Sequence, residues 1–310
     1  MTDLQNKEIK EVCFEASVTD EDARIDKVVT NWFEALSRSY IQKMIKDGNI
    51  FVNEKTIKAN YKVKEGDQIR CSIPACVEPE ISAEDIPLDI LYEDDDILIV
   101  NKPKGMVVHP SAGHYSHTLV NALLFHCKGQ LSGINGVFRP GIVHRIDKDT
   151  TGSLIICKSE TAHKGIAEQL KEHSITRKYR AIVYGNFDQT EGTVDAPIGR
   201  DVHDRKKMAV NEKNGKPAIT HYRVLQQFQG FSYIECQLET GRTHQIRVHM
   251  TSIGHPLLGD EVYGRRNSKW KLQGQCLHAM TIGFIHPVKN EYMEFVAPLP
   301  EYFTHLLKIL

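Results

Sequence analysis

The alternation of apolar and polar residues divides the chain into a short helical module and a longer, strand-rich region. In the module, apolar spacing predicts a helix over 24–35, and Ser39 is placed to cap a second helix that ends at Gly48. Polar turns then separate short apolar segments that are typical of strands, at 49–52, 56–58 and 68–72. The pattern therefore predicts a small independent domain over residues 24–75.

Beyond residue 88, most apolar segments have the period and length of strands. Strands are predicted at 97–100, 153–157, 179–184, 218–226, 231–238, 277–285 and 291–296. Helices are predicted at 118–125, 162–172, 243–253 and 301–309. Because several strands follow one another without an intervening helix, we expect an α+β fold whose mixed, largely antiparallel sheet is flanked by helices.

Length and composition agree with this two-domain division. The chain has 310 residues, of which 41% are hydrophobic and 25% are charged, as in ordinary globular proteins. Prolines interrupt an acidic connector at 76–88, which we interpret as an interdomain linker. The expected order is thus an acidic segment at 1–23, the small domain, the linker and a larger domain at 89–310.

The net charge of −1 conceals a strong segregation of charge along the chain. Residues 24–70 carry a net +4 and residues 101–310 a net +9, whereas 1–23 carry −5 and 71–100 carry −9. An exposed charge acts on a ligand only within a Debye length, about 8 Å at physiological salt. Both candidate domains therefore have the basic character that attracts RNA phosphates, although a solvated lysine surface without a partner has the same composition.

Several classes of protein are excluded by what the chain lacks. No apolar run is long enough to span a membrane, and the amino terminus is polar, so we expect a cytoplasmic protein without a secretion signal. The seven cysteines are scattered without a C-x-x-C pair, which indicates reduced thiols and no zinc knuckle. Neither a P-loop nor a G-x-G-x-x-G fingerprint is present.

Candidate chemistry is concentrated around residues 141–152 (GIVHRIDKDTTG), a polar loop between two apolar stretches. Asp147 lies between Arg145 and Lys148, so its carboxylate is expected to stay ionised, as a nucleophile requires. A simple ion pair within the loop is the alternative. Earlier in the chain, Lys102 begins a basic turn that either contacts an RNA backbone or only ends a strand.

Two further clusters combine cations with an aromatic ring or a helix start. In 176–181 (TRKYRA), Tyr179 could stack on a base or could belong to the core. In 240–249 (TGRTHQIRVH), helical periodicity makes Arg247 half-buried, which requires a carboxylate partner, and Asp147 is the candidate. His244 and His249 lie about 140° apart on that helix, so one face cannot present both to a metal ion.

Basic side chains also lie where RNA phosphates could bind. Arg38, Lys43 and Lys46 project away from the apolar face of the second helix, and Lys206 belongs to a basic loop at 205–208. Solvation of these surfaces is the alternative in both places.

Five segments together resemble the successive motifs of the RluA/RluD-type pseudouridine synthases. They are LYEDDDILIVNKPKGMVVHP (91–110), HRIDKDTTG (144–152), RKYRA (177–181), MAVNEKNGKPAITHY (208–222) and ETGRTHQIRVH (239–249). Residues 24–70 resemble the S4 RNA-binding domain that often precedes this catalytic domain. The family usually has Leu where Ile146 stands and Ser where Thr151 stands, and both departures are conservative.

The resemblance implies a function and a role for each matched residue. Asp147 would be the catalytic carboxylate, attacking the ribose C1′ or the pyrimidine ring or abstracting a sugar proton. Arg145 would help extrude the target uridine from its stack, Tyr179 would lie beside the flipped base, and Arg247 would pair with Asp147. Residues expected to contact the RNA are His144, Lys102, Arg242, His244, Arg38, Lys43, Lys46 and Lys206.

The expected enzyme is an isomerase that needs no cofactor or metal and acts as a monomer on a stem-loop of large-subunit ribosomal RNA. Two other classes of function compete with it. One is an RNA-binding assembly factor without activity, against which the complete set of matched residues argues. The other is a metal-assisted hydrolase that uses Asp147 and histidines.

Overall fold

The computed structural model describes residues 9–33, 37–74, 81–110, 114–136, 139–204, 207–264, 270 and 272–310. By its internal contacts the chain forms two units, Met1–Glu80 and Ile81–Leu310. Met1–Glu80 is the small unit and Ile81–Leu310 is the large unit.

The small unit packs two helices on a four-stranded antiparallel sheet. The helices are α1 (Ile25–Trp32) and α2 (Arg38–Lys46). The strands, in the spatial order β1-β4-β2-β3, are β1 (Ile9–Glu15), β2 (Ile50–Val52), β3 (Lys55–Thr56) and β4 (Gln68–Pro74). The apolar faces of both helices meet the sheet in one core that includes Ile25, Val29, Ile41, Ile50 and Ile69.

Two details of the small unit differ from the sequence-based expectation. Ser37, and not Ser39, caps α2, because its hydroxyl accepts a hydrogen bond from the backbone N–H of Tyr40. The acidic segment 1–23 contributes β1, which pairs along its whole length with β4. Along β1, exposed Glu11, Cys13 and Glu15 alternate with the partly buried Val12 and Phe14, of which Phe14 packs against the core. The net charge of the segment hid this strand period.

Within its described residues, the large unit contains a nine-stranded sheet and a separate two-stranded ribbon. The sheet comprises β5 (Ile90–Glu93), β6 (Ile97–Lys102), β7 (Thr151–Cys157), β8 (Thr176–Tyr184), β9 (Glu191–Asp195), β12 (Ile219–Phe228), β13 (Phe231–Leu238), β14 (Leu277–Ile285) and β15 (Tyr292–Val296). Its order is β5-β6-β7-β14-β8-β13-β12-β9, with β15 paired to β14. The ribbon joins β10 (Ile198–Arg200) and β11 (Met208–Val210). Every pairing is antiparallel except that of β7 with β14, which confirms the expected mixed, largely antiparallel sheet.

Helices cover both faces of this sheet around β7, whose seven residues are all buried. They are α3 (Leu119–Cys127), α4 (Glu160–Lys171), α5 (Gln245–Ser252) and α6 (Glu301–Ile309). Alternate residues of β7 enter a core shared with α3 and α5 and a core shared with α4. At Gly152, φ is +111° and a Cβ atom would collide with the backbone of Ala279, so only glycine permits this close approach. The loop that precedes β7 is therefore anchored to a rigid strand.

No helix in the described ranges has both the length and the apolar character needed to cross a membrane.

Candidate active site

A cavity of about 550 Å³ opens between the loop that precedes β7, the start of β8 and the start of α5. Asp147 comes from the loop, Tyr179 from β8 and Arg247 from α5, so three segments that are distant in sequence meet at one place. Arg145, Arg242 and His244 also line the cavity. Its size is within the usual range for small-molecule pockets, and it would accommodate an extruded nucleoside.

Arg247 lies between two carboxylates at the floor of the site. Its Nη1 donates to Asp147 Oδ2 at 2.9 Å, which is the pairing expected from the sequence. Its Nε and Nη2 donate to the two oxygens of Asp260 at 2.7 and 2.9 Å. Burial opposes the charge of this arginine, but the hydrogen bonds with Asp260 and Asp147 raise the pKa of Arg247 above its ordinary value. The guanidinium is therefore permanently charged and held on two sides.

Asp260 was not identified in the sequence, although it is the better buried of the two carboxylates. Its side chain is fully buried, and it also accepts hydrogen bonds from the backbone N–H groups of Val262 and Tyr263. Burial raises the pKa of Asp260, but Arg247 more than reverses this and holds it below its usual range. The sequence could have indicated a second carboxylate partner for Arg247, because a guanidinium has more donors than one carboxylate can accept.

The surroundings of Arg247 differ from the expected helix pattern in two respects. Arg247 is buried, with 5% of its surface exposed, and not half-buried as predicted. Ile253, the last residue of the predicted helix at 243–253, is 37% exposed. Because α5 ends at Ser252, Ile253 lies beyond the last helical turn and leaves the buried face.

Tyr179 lies in a buried position on β8 with its side chain at the cavity wall. It belongs to the main hydrophobic core and is 8% exposed. Burial raises the pKa of Tyr179, an effect that nearby Arg177 opposes and Asp147 reinforces. The hydroxyl is therefore neutral at physiological pH, and the ring offers a flat surface for a base.

His244 connects the start of α5 with Asp147. Its backbone is left-handed, with φ 58° and ψ 21°, and it occupies the N-cap position of the helix. One ring nitrogen, Nδ1, is 2.9 Å from the hydroxyl of Tyr263, and the other, Nε2, is 3.8 Å from Asp147 Oδ1. His249 is buried and bonds instead to Thr220 and a backbone carbonyl. The two histidines thus have separate surroundings.

Lys102 is not on an RNA-facing surface, so the prediction that it contacts RNA is wrong. It is 1% exposed, and its ammonium donates to the backbone carbonyls of Pro103, Met106 and Lys148 at 2.7, 2.9 and 2.9 Å. Such carbonyl partners leave no pattern among side chains, and for that reason the sequence did not reveal them. Through the Lys148 carbonyl, Lys102 stabilises the loop that carries Asp147.

His144 and Arg145 adjoin each other in the loop but face different surroundings. His144 Nε2 accepts a hydrogen bond from the backbone N–H of Ile155 at 2.9 Å. Burial, reinforced by Arg177, lowers the pKa of His144 to about 3, so the ring is neutral. Arg145 is exposed, and its Nη1 is 3.2 Å from Nε2 of buried His109. Contacts of His144 and Arg145 with RNA stay predictions.

The remaining residues predicted to bind RNA are distributed over the two units. Arg242 lines the cavity, and its Nε donates to the backbone carbonyl of Pro217. In the small unit, Lys43 and Lys46 are exposed on α2, while Arg38 binds the buried carboxylate of Asp26. Lys206 lies outside the described residues. Among the residues that are described, no three His, Cys, Asp or Glu side chains are grouped to hold a metal ion.

Comparison with known families agrees with this arrangement. The sequence model described as RNA pseudouridylate synthase matches residues 96–252, and the S4 domain model matches residues 23–69. The chain belongs to the RNA pseudouridine synthase family. This pseudouridine synthase is therefore an isomerase that acts on RNA, with an S4 domain ahead of its catalytic domain. The family match includes Asp147, Tyr179 and Arg247 but ends before Asp260.

Curated relatives match this pseudouridine synthase over nearly its whole length. A Bacillus subtilis protein named RNA pseudouridine synthase YlyB is 52% identical over 295 residues, covering 95% of this chain and 96% of that protein. The ribosomal large subunit pseudouridine synthase D of Zymomonas mobilis is 48% identical over 297 residues, covering 93% of each chain.

Solved structures extend the similarity to the fold. The human RNA pseudouridylate synthase domain containing 1 superposes with a TM-score of 0.56 at 25% identity, covering 73% of this chain and 96% of that one. The human RNA pseudouridylate synthase domain containing 4 superposes with the same TM-score at 26% identity, covering 71% of this chain and 91% of that one. The expected α+β class with its amino-terminal S4 domain is confirmed.

Proposed function

We propose that this pseudouridine synthase isomerises specific uridines in stem-loops of large-subunit ribosomal RNA, with Asp147 as its catalytic carboxylate. The observation that carries the proposal is the contact of Asp147 Oδ2 with the buried Arg247 inside a cavity walled by Tyr179. Arg247 holds Asp147 Oδ2, while Asp147 Oδ1 makes no contact with Arg247 and lies 3.8 Å from His244 Nε2. Such an arrangement favours a nucleophile or base over a general acid.

The reaction needs no co-reactant, because it conserves every atom of the nucleotide. The bond between N1 of the base and C1′ of the ribose breaks, the retained uracil rotates, and C5 bonds to C1′. C5 then loses its proton and N1 carries one. Asp147 can serve this sequence by attacking C1′, by adding to the ring or by taking a sugar proton. In each case the carboxylate must be ionised when the RNA binds.

Access to the uridine requires that the base leave its stack. Arg145 is exposed at the cavity, and a planar guanidinium can occupy the gap that an extruded base leaves. His109 holds Arg145 by its neutral Nε2, because burial, together with the charges of Arg145 and Arg139, lowers the pKa of His109 to about 4. A neutral partner orients the arginine without cancelling its charge.

The substrate class rests on the relatives and on the S4 domain. Several relatives, among them the Zymomonas mobilis protein at 48% identity, are named for the large ribosomal subunit. The small unit carries the S4 match, and residues 24–70 have a net charge of +4. Exposed Lys43 and Lys46 on α2 add charge that RNA phosphates would attract.

The chemical part of the proposal is tested with Asp147→Asn, a nearly isosteric change that removes the ionisable group. Pseudouridine formation in a ribosomal RNA fragment should disappear, while RNA affinity stays within a few-fold of the unaltered protein. Asp188→Asn, at an exposed position outside the cavity, is the matched control and should keep full activity. Undiminished turnover by Asp147→Asn would overturn the assignment.

The substrate part is tested separately by mapping pseudouridines in RNA from cells with and without the protein. We expect the loss of one or more pseudouridines from large-subunit ribosomal RNA. If the lost sites lie only in other RNAs, the ribosomal assignment is wrong, whereas the chemistry assigned to Asp147 stands.

A further inference from the structure

The hydroxyl of Tyr263 is shared between a backbone amide and a histidine. The N–H of Met208, the first residue of β11, donates to Tyr263 Oη at 2.9 Å. The same oxygen is 2.9 Å from Nδ1 of His244. Burial raises the pKa of Tyr263, so the hydroxyl keeps its proton. Because the oxygen already accepts from Met208, its own proton is free to be donated to His244 Nδ1.

This contact decides which nitrogen of His244 carries the ring proton. A neutral imidazole has one protonated nitrogen, and the partner of the other nitrogen selects it. With Nδ1 accepting from Tyr263, the proton resides on Nε2, which is 3.8 Å from Asp147 Oδ1. A shift of less than an ångström would bring this N–H to hydrogen-bond distance.

The charges around His244 favour its neutral form. Burial lowers the pKa of His244, although the nearby carboxylate of Asp147 opposes this change. Arg247 and Arg145 also disfavour a proton on the ring, and Asp260 favours one. Since Arg247 already supplies the positive charge beside Asp147, the histidine can add a hydrogen bond without adding a second cation.

The backbone conformation of His244 is also typical of a functional position. Its φ of 58° is in the left-handed region, which non-glycine residues seldom adopt, and such conformations concentrate at functional sites. The ring is further fixed edge-on against Tyr263, with centroids 5.6 Å apart. The helix start, the tyrosine ring and the hydroxyl thus all restrict where Nε2 points.

We propose that His244 is a positioning residue for Asp147, acting as a neutral Nε2–H donor to Oδ1, and that Tyr263 sets the tautomer required. Arg247 then holds one oxygen of the carboxylate and His244 the other, so the carboxylate plane is set before the uridine enters. This inference rests on the proposed role of Asp147. It also links the ribbon strand β11 to the active site through two consecutive hydrogen bonds.

The first test is Tyr263→Phe, which keeps the ring that lies 5.1 Å from the Arg247 guanidinium and removes only the hydroxyl. We expect kcat to fall about tenfold, the equivalent of one hydrogen bond in the transition state, with little change in KM. Tyr92→Phe is the matched control, because its hydroxyl bonds Asp94 and Lys289 outside the cavity. An unaltered kcat in Tyr263→Phe would overturn the inference while leaving the proposed function intact.

The second test reads the tautomer directly, by nitrogen NMR of the full chain labelled in its histidines. His244→Asn, which tolerates the left-handed backbone, identifies the signal by removing it. We expect the unaltered protein to show protonated Nε2 and bare Nδ1, and Tyr263→Phe to show a mixture of tautomers. A protonated Nδ1 in the unaltered protein would refute the inference even if Asp147 is the catalytic carboxylate.

Discussion

Each unit buries one charged group between two of opposite sign, but the signs are reversed. In the large unit the central group is a guanidinium, since Arg247 binds Asp147 on one side and Asp260 on the other. In the small unit it is a carboxylate, since Asp26, whose side chain is fully buried, binds two arginines. Those arginines are Arg24 and Arg38.

The reversal determines which charged group each cluster leaves partly exposed. One partner neutralises the central ion, so the second partner leaves a surplus: a carboxylate in the large unit and a guanidinium in the small unit. The Asp147 side chain is 18% exposed and faces the cavity, whereas those of Arg24 and Arg38 are 40% and 43% exposed. The same kind of ion cluster therefore suits carboxylate chemistry in one unit and phosphate binding in the other.

The largest difference that we expect between the units is in their response to acid. All fifteen histidines lie at or beyond His109, so the small unit has none. Burial lowers the pKa of His109 to about 4 and that of His144 to about 3, from an ordinary 6.5. Below pH 6.5 these two histidines bind protons in the unfolded chain but stay neutral in the folded protein. The large unit should therefore lose about 5 kcal/mol of unfolding free energy by pH 4.5.

The small unit should keep its stability over that range. Its buried carboxylates, Asp26 and Asp67, have pKa values held below the ordinary 3.8 by hydrogen bonds that outweigh burial. The stability they contribute is fully present above about pH 4 and is lost only as the pH falls further. Urea unfolding followed by fluorescence separates the units, because Trp32→Phe leaves only Trp270 of the large unit, and Trp270→Phe leaves only Trp32. Equal losses of unfolding free energy in the two units at pH 4.5 would contradict this prediction.

A smaller effect should follow from removing one charge of each cluster. Asp260→Asn leaves the buried Arg247 with a single carboxylate, and breaking such a buried pair should cost about 3 kcal/mol of unfolding free energy. The kcat should also fall, because Arg247 is then free to move away from Asp147. The tryptophan reporters measure the stability change, and single-turnover assays measure the chemical step.

Asp26→Asn is the matched change in the small unit. Its two arginines are partly exposed and can turn to water, so the loss of stability should be smaller, about 1 to 2 kcal/mol. At saturating RNA the kcat should be unchanged, whereas RNA affinity should weaken because Arg24 and Arg38 lose their common anchor. The expected difference between the two clusters would be contradicted if Asp26→Asn lowered kcat at saturating RNA. It would also be contradicted if Asp26→Asn cost as much unfolding free energy as Asp260→Asn.

Features that depend on local pattern were predicted well from the sequence. The strands at 231–238 and 277–285 have the predicted bounds, because apolar residues recur along each segment and each ends at a turn. The pairing of Asp147 with Arg247 was also expected, because helical periodicity directed the arginine inwards, where it needs a carboxylate.

Apart from the pair of Asp147 and Arg247, contacts between distant segments were not predicted. Asp260 and Tyr263 lie in a polar turn that resembles an exposed connection, yet the folded chain brings this turn against α5. Lys102 looked like a surface cation because its partners are backbone carbonyls. The start of α2 was placed two residues too late, because Ser37 and Ser39 are equally good caps by residue type and only backbone geometry distinguishes them.

The smallest effect that we expect concerns the Ser37 cap of α2. Arg38, one of the two arginines that bind Asp26, begins the helix directly after Ser37. Ser37 Oγ accepts from the Tyr40 N–H at 3.3 Å, so Ser37→Ala should lower the unfolding free energy of the small unit by about 1 kcal/mol. Ser39→Ala is the control and should cost less than about 0.5 kcal/mol, because alanine favours the helix interior. Trp32 fluorescence during urea unfolding measures both. A larger loss for Ser39→Ala would mean that the cap lies where the sequence pattern predicted it, and that Arg38 precedes α2 and does not begin it.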